Sequence, residues 1–142
     1  MDLRLYHNSH EFYYRSSFGA VPSGSRLILR LRASGSDAGN CRARIRLWQS
    51  NVGESFVPMS YEDGIFTGIV TIPPKGCLLW YYFIIDDGHR TFYYGNNYDR
   101  LGGEGAKYPD VPPAYQVTVY DKDAHTPDWF KHAIVYQIFP DR

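Results

Sequence analysis

Two segments of the chain alternate, residue by residue, between apolar and mostly arginine side chains. In segments 25–33 and 41–49 the apolar positions are Leu27, Leu29, Leu31, Cys41, Ala43, Ile45 and Leu47. The positions on the other face include Arg26, Arg30, Arg32, Arg42, Arg44, Arg46 and Trp48. Because successive residues of a strand point to opposite faces, this period of two predicts strands with one dry face and one wet face. Such strands are typical of an antiparallel sheet that is covered on one side only.

Short strand patterns separated by turn residues continue through residues 1–120. They occupy segments 56–61, 65–72, 78–86, 91–94 and 115–120. The dipeptides Asp63-Gly64 and Asp87-Gly88 follow two of these patterns and favour the positive φ angle that a tight hairpin requires. No segment has the 3.6-residue period of an amphipathic helix. We therefore expect residues 1–120 to form an all-β domain, an immunoglobulin-like β-sandwich of about seven antiparallel strands.

Segment 78–86 is the most apolar of these patterns, and we expect it to lie in the middle of its sheet. One face carries Leu79, Tyr81, Phe83 and Ile85, and the other carries Trp80, Tyr82 and Ile84. Aromatic residues make up 17% of the chain, which suits a β core and a sugar-binding surface equally well. Composition alone therefore does not separate packing from binding.

Charge and composition exclude several classes of protein. Lys+Arg and Asp+Glu number 15 each, so the chain lacks the basic excess of a nucleic-acid-binding protein. No apolar run approaches the length of a membrane span, and the first residues lack the apolar segment of a signal peptide. Two cysteines, Cys41 and Cys77, are too few for a disulfide framework. We expect a cytoplasmic protein with neither a nucleic-acid nor a membrane partner.

The character of the sequence changes after residue 120. Segment 121–128 is polar, contains Pro127 and is predicted to be an interdomain linker. Segment 134–139, Ile-Val-Tyr-Gln-Ile-Phe, is apolar on both faces, as in a strand buried within a parallel sheet. Residues 129–142 are therefore predicted to be the truncated start of a second domain.

Two parts of the sequence carry a resemblance to a known family. Residues 129–142, Trp-Phe-Lys-His-Ala-Ile-Val-Tyr-Gln-Ile-Phe-Pro-Asp-Arg, resemble the opening of the catalytic (β/α)8 barrel in the α-amylase family, glycoside hydrolase family 13. Residues 80–88 and 91–95 are similar to a hairpin in the amino-terminal domains of neopullulanases, cyclomaltodextrinases and maltogenic amylases. The resemblance implies a parent enzyme that hydrolyses α-glucosidic bonds with retention and carries an immunoglobulin-like accessory domain, also called a carbohydrate-binding module. It further implies that this domain packs on its own catalytic barrel and on a second subunit.

We expect no catalytic residue in this chain. A retaining glycosidase needs two carboxylic side chains about 5 Å apart, and the resemblance assigns that pair to barrel strands that are not part of this sequence. The adjacent pairs Glu62-Asp63 and Asp86-Asp87 precede glycines at predicted turns, and neighbouring strand residues point to opposite faces. We also expect no metal and no cofactor here, because His7 and His10 would supply only half of a metal site. Calcium is compatible with the parent enzyme alone.

The candidates for carbohydrate binding are Trp48, Trp80 and Tyr82. One aromatic ring face buries roughly 100 Å² against a sugar, which is worth about 2.5 kcal/mol, whereas millimolar affinity requires about 4 kcal/mol. A glucan site therefore needs at least two rings side by side, and we expect Trp48 to lie beside Trp80 or Tyr82.

Three functions remain open from the sequence. The first is an accessory domain that packs on the barrel or on a second subunit and narrows the substrate cleft. The second is an autonomous module that binds starch or maltodextrin. The third is an immunoglobulin-like interaction domain unrelated to glucans, which the lack of a Cys-Trp-Cys framework disfavours.

Overall fold

A computed structural model of the protein describes residues 3–16, 20–35 and 38–121. The predicted domain over 1–120 therefore lies almost entirely within the described residues. The predicted linker beyond Asp121 and the predicted barrel strand in 129–142 lie outside them.

The described residues form eleven strands and one short 3-10 turn. The strands are β1 (Arg4–Tyr6), β2 (Val21–Pro22), β3 (Arg26–Ser34), β4 (Arg42–Gln49), β5 (Gly53–Pro58), β6 (Ser60–Glu62), β7 (Ile65–Thr71), β8 (Cys77–Asp86), β9 (Thr91–Gly95), β10 (Ala106–Tyr108) and β11 (Tyr115–Tyr120). The 3-10 turn spans Ala38–Asn40. No helix in this part of the chain is long and apolar enough to cross a membrane.

The strands build two sheets that enclose one core. The smaller sheet has the order β1-β3-β7-β6. In the seven-stranded sheet β8 is central: β4 pairs along one edge, and β11 and then β9 pair along successive parts of the other. Strand β5 extends the sheet beyond β4, β10 extends it beyond β9, and β2 joins β11 in parallel. The central position predicted for segment 78–86 is confirmed.

The alternating segments line the core as their period predicts. The leucines of β3 and the apolar residues 41–47 are all buried, whereas the arginines between them reach the outer surfaces of the two sheets. On β8 the face formed by Leu79, Tyr81, Phe83 and Ile85 belongs to the core, while Tyr82 and Ile84 on the other face are also buried. The prediction of an all-β sandwich is confirmed, and six of the seven longer strands match the segments expected from the sequence.

One predicted strand is wrong in its extent. Segment 56–61 was expected as a single strand, but it belongs to two strands in different sheets. Residues up to Pro58 form β5, which pairs with β4, and Ser60 begins β6, which pairs with β7. The side chain of Met59, at the crossing point, packs against the core. Strand β5 also starts earlier than predicted, at a turn in which Asn51 and Gly53 adopt positive φ angles of 65° and 119°.

The two predicted Asp-Gly turns do connect neighbouring strands. Asp63 and Gly64 have φ angles of 51° and 84° between β6 and β7, and Gly88 has a φ of 94° between β8 and β9. The structure adds three short strands outside the predicted segments, namely β1, β2 and β10. These pairings are too short to produce a recognisable period in the sequence.

Candidate functional site

Two tryptophans lie side by side on the outer face of the seven-stranded sheet. Trp48 of β4 is the direct cross-strand partner of Trp80 of β8. Side chains of directly opposed residues lie on the same face, with Cβ atoms about 5 Å apart. Trp48 is 42% exposed and Trp80 is half-buried. A glucan site needs at least two aromatic rings side by side, and the two indoles on these neighbouring strands form such a pair.

Arg46 supports this pair from the next outward position on β4. Its guanidinium lies 5.5 Å from the ring centroid of Trp48 and 5.2 Å from that of Tyr82. Its Nε donates a hydrogen bond of 2.7 Å to Glu54, which is the cross-strand partner of Trp48 on β5. Stacking of a guanidinium on an aromatic face is favourable and restricts both side chains. The contact with Arg46 therefore restricts the orientation of the exposed Trp48 indole in the absence of a ligand.

Tyr82 occupies the same face but offers little ring surface. It is only 6% exposed, because Arg46 covers one side and the Tyr93 ring meets it edge-on at 6.0 Å between centroids. Burial also raises the pKa of its hydroxyl. Among the three candidate residues, Trp48 and Trp80 thus carry the accessible surface, and a role for Tyr82 in sugar contact stays a prediction.

A cleft of about 470 Å³ opens beside Trp80 on the side away from Trp48. Its floor is formed by outer-face residues of β8 and β11, and its wall by the irregular segments 9–16 and 96–105. Its lining includes Trp80, Gln116, Thr118, Arg100 and Asn96. The volume lies within the range of roughly 300–1,000 Å³ typical of small-ligand pockets.

The wall of the cleft is held by hydrogen bonds between its two segments. Ser9 donates its backbone N–H to the carbonyl of Gly103 at 3.1 Å, and its hydroxyl accepts the Gly103 N–H at 2.8 Å. Asn96 accepts the N–H of Gly102 at 3.1 Å, and Asn97 donates to the Gly102 carbonyl at 2.8 Å. Gly102 and Gly103 both have positive φ angles, which favour glycine. These hydrogen bonds and glycine conformations therefore hold the wall segments in place.

A buried polar network lies beneath the cleft, and His7 is at its centre. His7 Nδ1 donates to the carbonyl of Arg30 at 2.7 Å, so Nε2 is the nitrogen that accepts from the Tyr81 hydroxyl at 2.9 Å. The backbone of His7 exchanges hydrogen bonds with the Tyr94 hydroxyl at 3.0 and 3.1 Å. Burial lowers the pKa of His7 to about 3, and the positive charge of Arg15 adds to this effect, while the Arg30 carbonyl opposes it.

This network gives His7 a structural role. His7 and His10 together would supply only half of a metal site. Within residues 3–16, 20–35 and 38–121 there is no group of three or more His, Cys, Asp or Glu side chains that could hold a metal ion. Both ring nitrogens of His7 are already engaged inside the protein.

Of the two adjacent carboxylate pairs, Asp86-Asp87 stabilises its turn, as the sequence predicts. Asp86 accepts the N–H of Gly88 at 2.8 Å, and Asp87 accepts those of His89 and Arg90, also at 2.8 Å. The Arg90 and His89 amides lower the pKa of Asp87. Glu62 and Asp63 are exposed at the β6–β7 turn.

Neither cysteine forms a disulfide. Cys41 is buried in the core and Cys77 is partly buried against it, so both act as small apolar side chains.

The sequence did not reveal the cleft residues. Gln116 occupies an outward position of β11, so its exposure can be predicted from the alternation. Its position opposite Trp80 cannot be predicted in this way. Arg100 and Asn96 lie in an irregular segment whose path depends on contacts with Ser9, more than eighty residues earlier in the chain. No local pattern encodes such contacts.

Comparisons with known proteins give one consistent result. No protein-family profile matches the chain. An amylopullulanase of Thermoanaerobacterium thermosulfurigenes is 40% identical over 149 aligned residues, which cover 97% of this chain and 8% of that protein. Amylopullulanases of Thermoanaerobacterium saccharolyticum and Thermoanaerobacter thermohydrosulfuricus are 38% and 37% identical, over 97% and 99% of this chain and 11% and 10% of their own lengths.

The chain thus spans about a tenth of the length of these curated relatives or less. The similarity extends over almost the whole sequence. Over nearly its entire length this chain is similar to one segment of each of three amylopullulanases, which supports a relationship to the α-amylase family.

Proposed function

We propose that this chain is a non-catalytic accessory domain of an enzyme that hydrolyses α-glucans, of the type found at the amino terminus of neopullulanase-like enzymes. Similarity to segments of three amylopullulanases supports the assignment to a glucan hydrolase. The turn-stabilising hydrogen bonds of Asp86 and Asp87 support the non-catalytic role, because these oxygens already accept from backbone amides.

Within this role we propose that the outer face of the seven-stranded sheet binds α-glucan by stacking on Trp48 and Trp80. The observation that carries the proposal is their direct pairing across β4 and β8. Two ring faces would bury roughly 200 Å² of sugar and ring surface, worth about 5 kcal/mol before the cost of association and about twice the contribution of one ring. After the losses of association, weak binding of maltodextrins is expected.

Removing either indole should weaken maltodextrin binding strongly. Titration of the chain with maltoheptaose is expected to give a millimolar Kd, followed by tryptophan fluorescence and by calorimetry. Trp48→Ala or Trp80→Ala should each raise this Kd by at least about tenfold, since one stacked ring contributes about 2.5 kcal/mol before association costs.

Tyr61→Ala is the matched control, because Tyr61 is an exposed aromatic residue of β6 on the opposite sheet. It should bind like the unchanged chain. Absence of any response at millimolar maltoheptaose would contradict the stacking proposal.

A second candidate function is packing against the catalytic barrel or a second subunit. It is favoured by three large apolar side chains that are more than two-thirds exposed on the wall segments of the cleft: Phe12 (71%), Tyr98 (79%) and Leu101 (75%). Exposed apolar groups gathered in one region are typical of an interaction surface.

This candidate is tested in the full-length enzyme. Deletion of residues 1–120 is expected to shift a dimer to a monomer in size-exclusion chromatography with light scattering, and to widen the range of substrates cleaved. A deletion variant with the same oligomeric state and the same substrate range would count against the packing role.

A further inference from the structure

The cleft lies next to the tryptophan pair, on the Trp80 side and not on the Trp48 side. Trp80 has Trp48 as its cross-strand partner on one side and Gln116 of β11 on the other. The three residues therefore form a row across β4, β8 and β11, with neighbouring strands about 4.8 Å apart. Trp80 belongs both to the exposed pair and to the lining of the cleft. A ligand stacked along the row from Trp48 towards β11 would enter the cleft.

Polar side chains in the cleft are suited to sugar hydroxyls. Gln116 is exposed on the cleft floor next to Trp80, and Arg100 is exposed in its wall. Amide and guanidinium groups are planar and carry several donors in fixed directions, so each can bind two neighbouring hydroxyls. Asn96 is different, because its side-chain oxygen already accepts from Gly102 and so holds the wall in place.

The wall limits how far a ligand can continue past Gln116. Segments 9–16 and 96–105 are joined by the paired hydrogen bonds of Ser9 and Gly103 and by a bridge between Asn8 and Glu104. A chain that enters the cleft from Trp48 meets these segments, because residues of both line the cleft. On the Trp48 side there is no such wall among the described lining residues.

We propose that the cleft receives the end of an α-glucan chain, whose next units stack on Trp80 and Trp48. This inference rests on the proposed glucan binding and deepens it, since it assigns a direction and an end to the bound chain. A ligand without an end would still stack on the indoles but would not fill the cleft.

The test compares two ligands that differ in having an end. Maltoheptaose is linear, and β-cyclodextrin has the same number of glucose units closed into a ring. By calorimetry we expect the unchanged chain to bind maltoheptaose about tenfold more tightly, as one or two additional hydrogen bonds would provide. Gln116→Ala and Arg100→Ala should each reduce that preference and leave β-cyclodextrin affinity unchanged. Arg26→Ala, an exposed arginine on the opposite sheet, is the matched control and should keep the preference.

Three outcomes would overturn the inference. If the unchanged chain bound maltoheptaose and β-cyclodextrin with equal affinity, the cleft would not be a site for the end of a glucan chain. If Gln116→Ala and Arg100→Ala both kept the preference for maltoheptaose over β-cyclodextrin, that preference would arise outside the cleft. In both cases binding to the tryptophan pair stands. Absence of binding by both ligands would overturn the cleft assignment together with the proposed glucan binding.

Discussion

Lowering the pH from 7 to 4 should destabilise the sandwich by about 3 kcal/mol through His7 alone. Its pKa is lowered from 6.5 to about 3 in the folded state, mainly by burial. Between these two values the unfolded chain binds the proton and the folded chain does not. The free energy of unfolding is therefore highest above pH 6.5 and falls continuously as the pH drops towards 3.

Urea unfolding at pH 7 and at pH 4 measures this effect. His7→Gln keeps a donor for the Arg30 carbonyl and an acceptor for the Tyr81 hydroxyl but does not titrate. Its stability should vary with pH by about 3 kcal/mol less than that of the unchanged chain. His10→Gln, at an exposed histidine close by, should behave like the unchanged chain. Identical pH dependence in the His7 variant and the unchanged chain would contradict the account of the buried network.

Gly105→Ala is expected to destabilise the protein by at least about 3 kcal/mol. A Cβ atom at this position would overlap the carbonyl oxygen of Gly95 and the hydroxyl of Tyr115, and would come within 2.7 Å of the Tyr94 ring. The carbonyl belongs to β9 and cannot move without disturbing its pairing with β10. The Tyr115 hydroxyl donates to Gly103, so its displacement would also loosen the cleft wall.

Thermal and urea unfolding check this expectation against Gly39→Ala. The added Cβ of that control meets only Tyr61 Cε2 at 3.9 Å, an ordinary contact, so its effect should stay within about 0.5 kcal/mol. If the two variants unfolded at the same denaturant concentration, the close packing of Gly105 against β9 would be refuted.

The sequence predicts the parts of the fold that depend on local alternation. In β3 and β4 every second residue is buried, and together with the inward face of β8 these strands provide half of the core. The alternation also predicts an outward Trp48, because Leu47 before it points inward. What alternation does not predict is register: that Trp48 lies opposite Trp80 follows from the β4–β8 pairing, which is set by the whole core.

The remaining features arise from contacts between distant residues. Strands β5 and β6 look like one strand in the sequence because only Met59 separates them. The chain passes from one sheet to the other at this residue. His7 appears in sequence as an isolated histidine near the terminus. Its burial depends on Tyr81 and Tyr94, which lie on the opposite sheet. The cleft wall likewise joins residues near positions 9 and 103.

The central claim is that α-glucan stacks on the outer face of the seven-stranded sheet, and NMR of the labelled chain during a maltoheptaose titration tests it most directly. We predict that the indole N–H signals of Trp48 and Trp80 shift together with one Kd, while the amides of β3 and β7 on the opposite sheet stay unchanged. Shifts confined to the opposite sheet, or none at either indole at millimolar ligand, would contradict the claim.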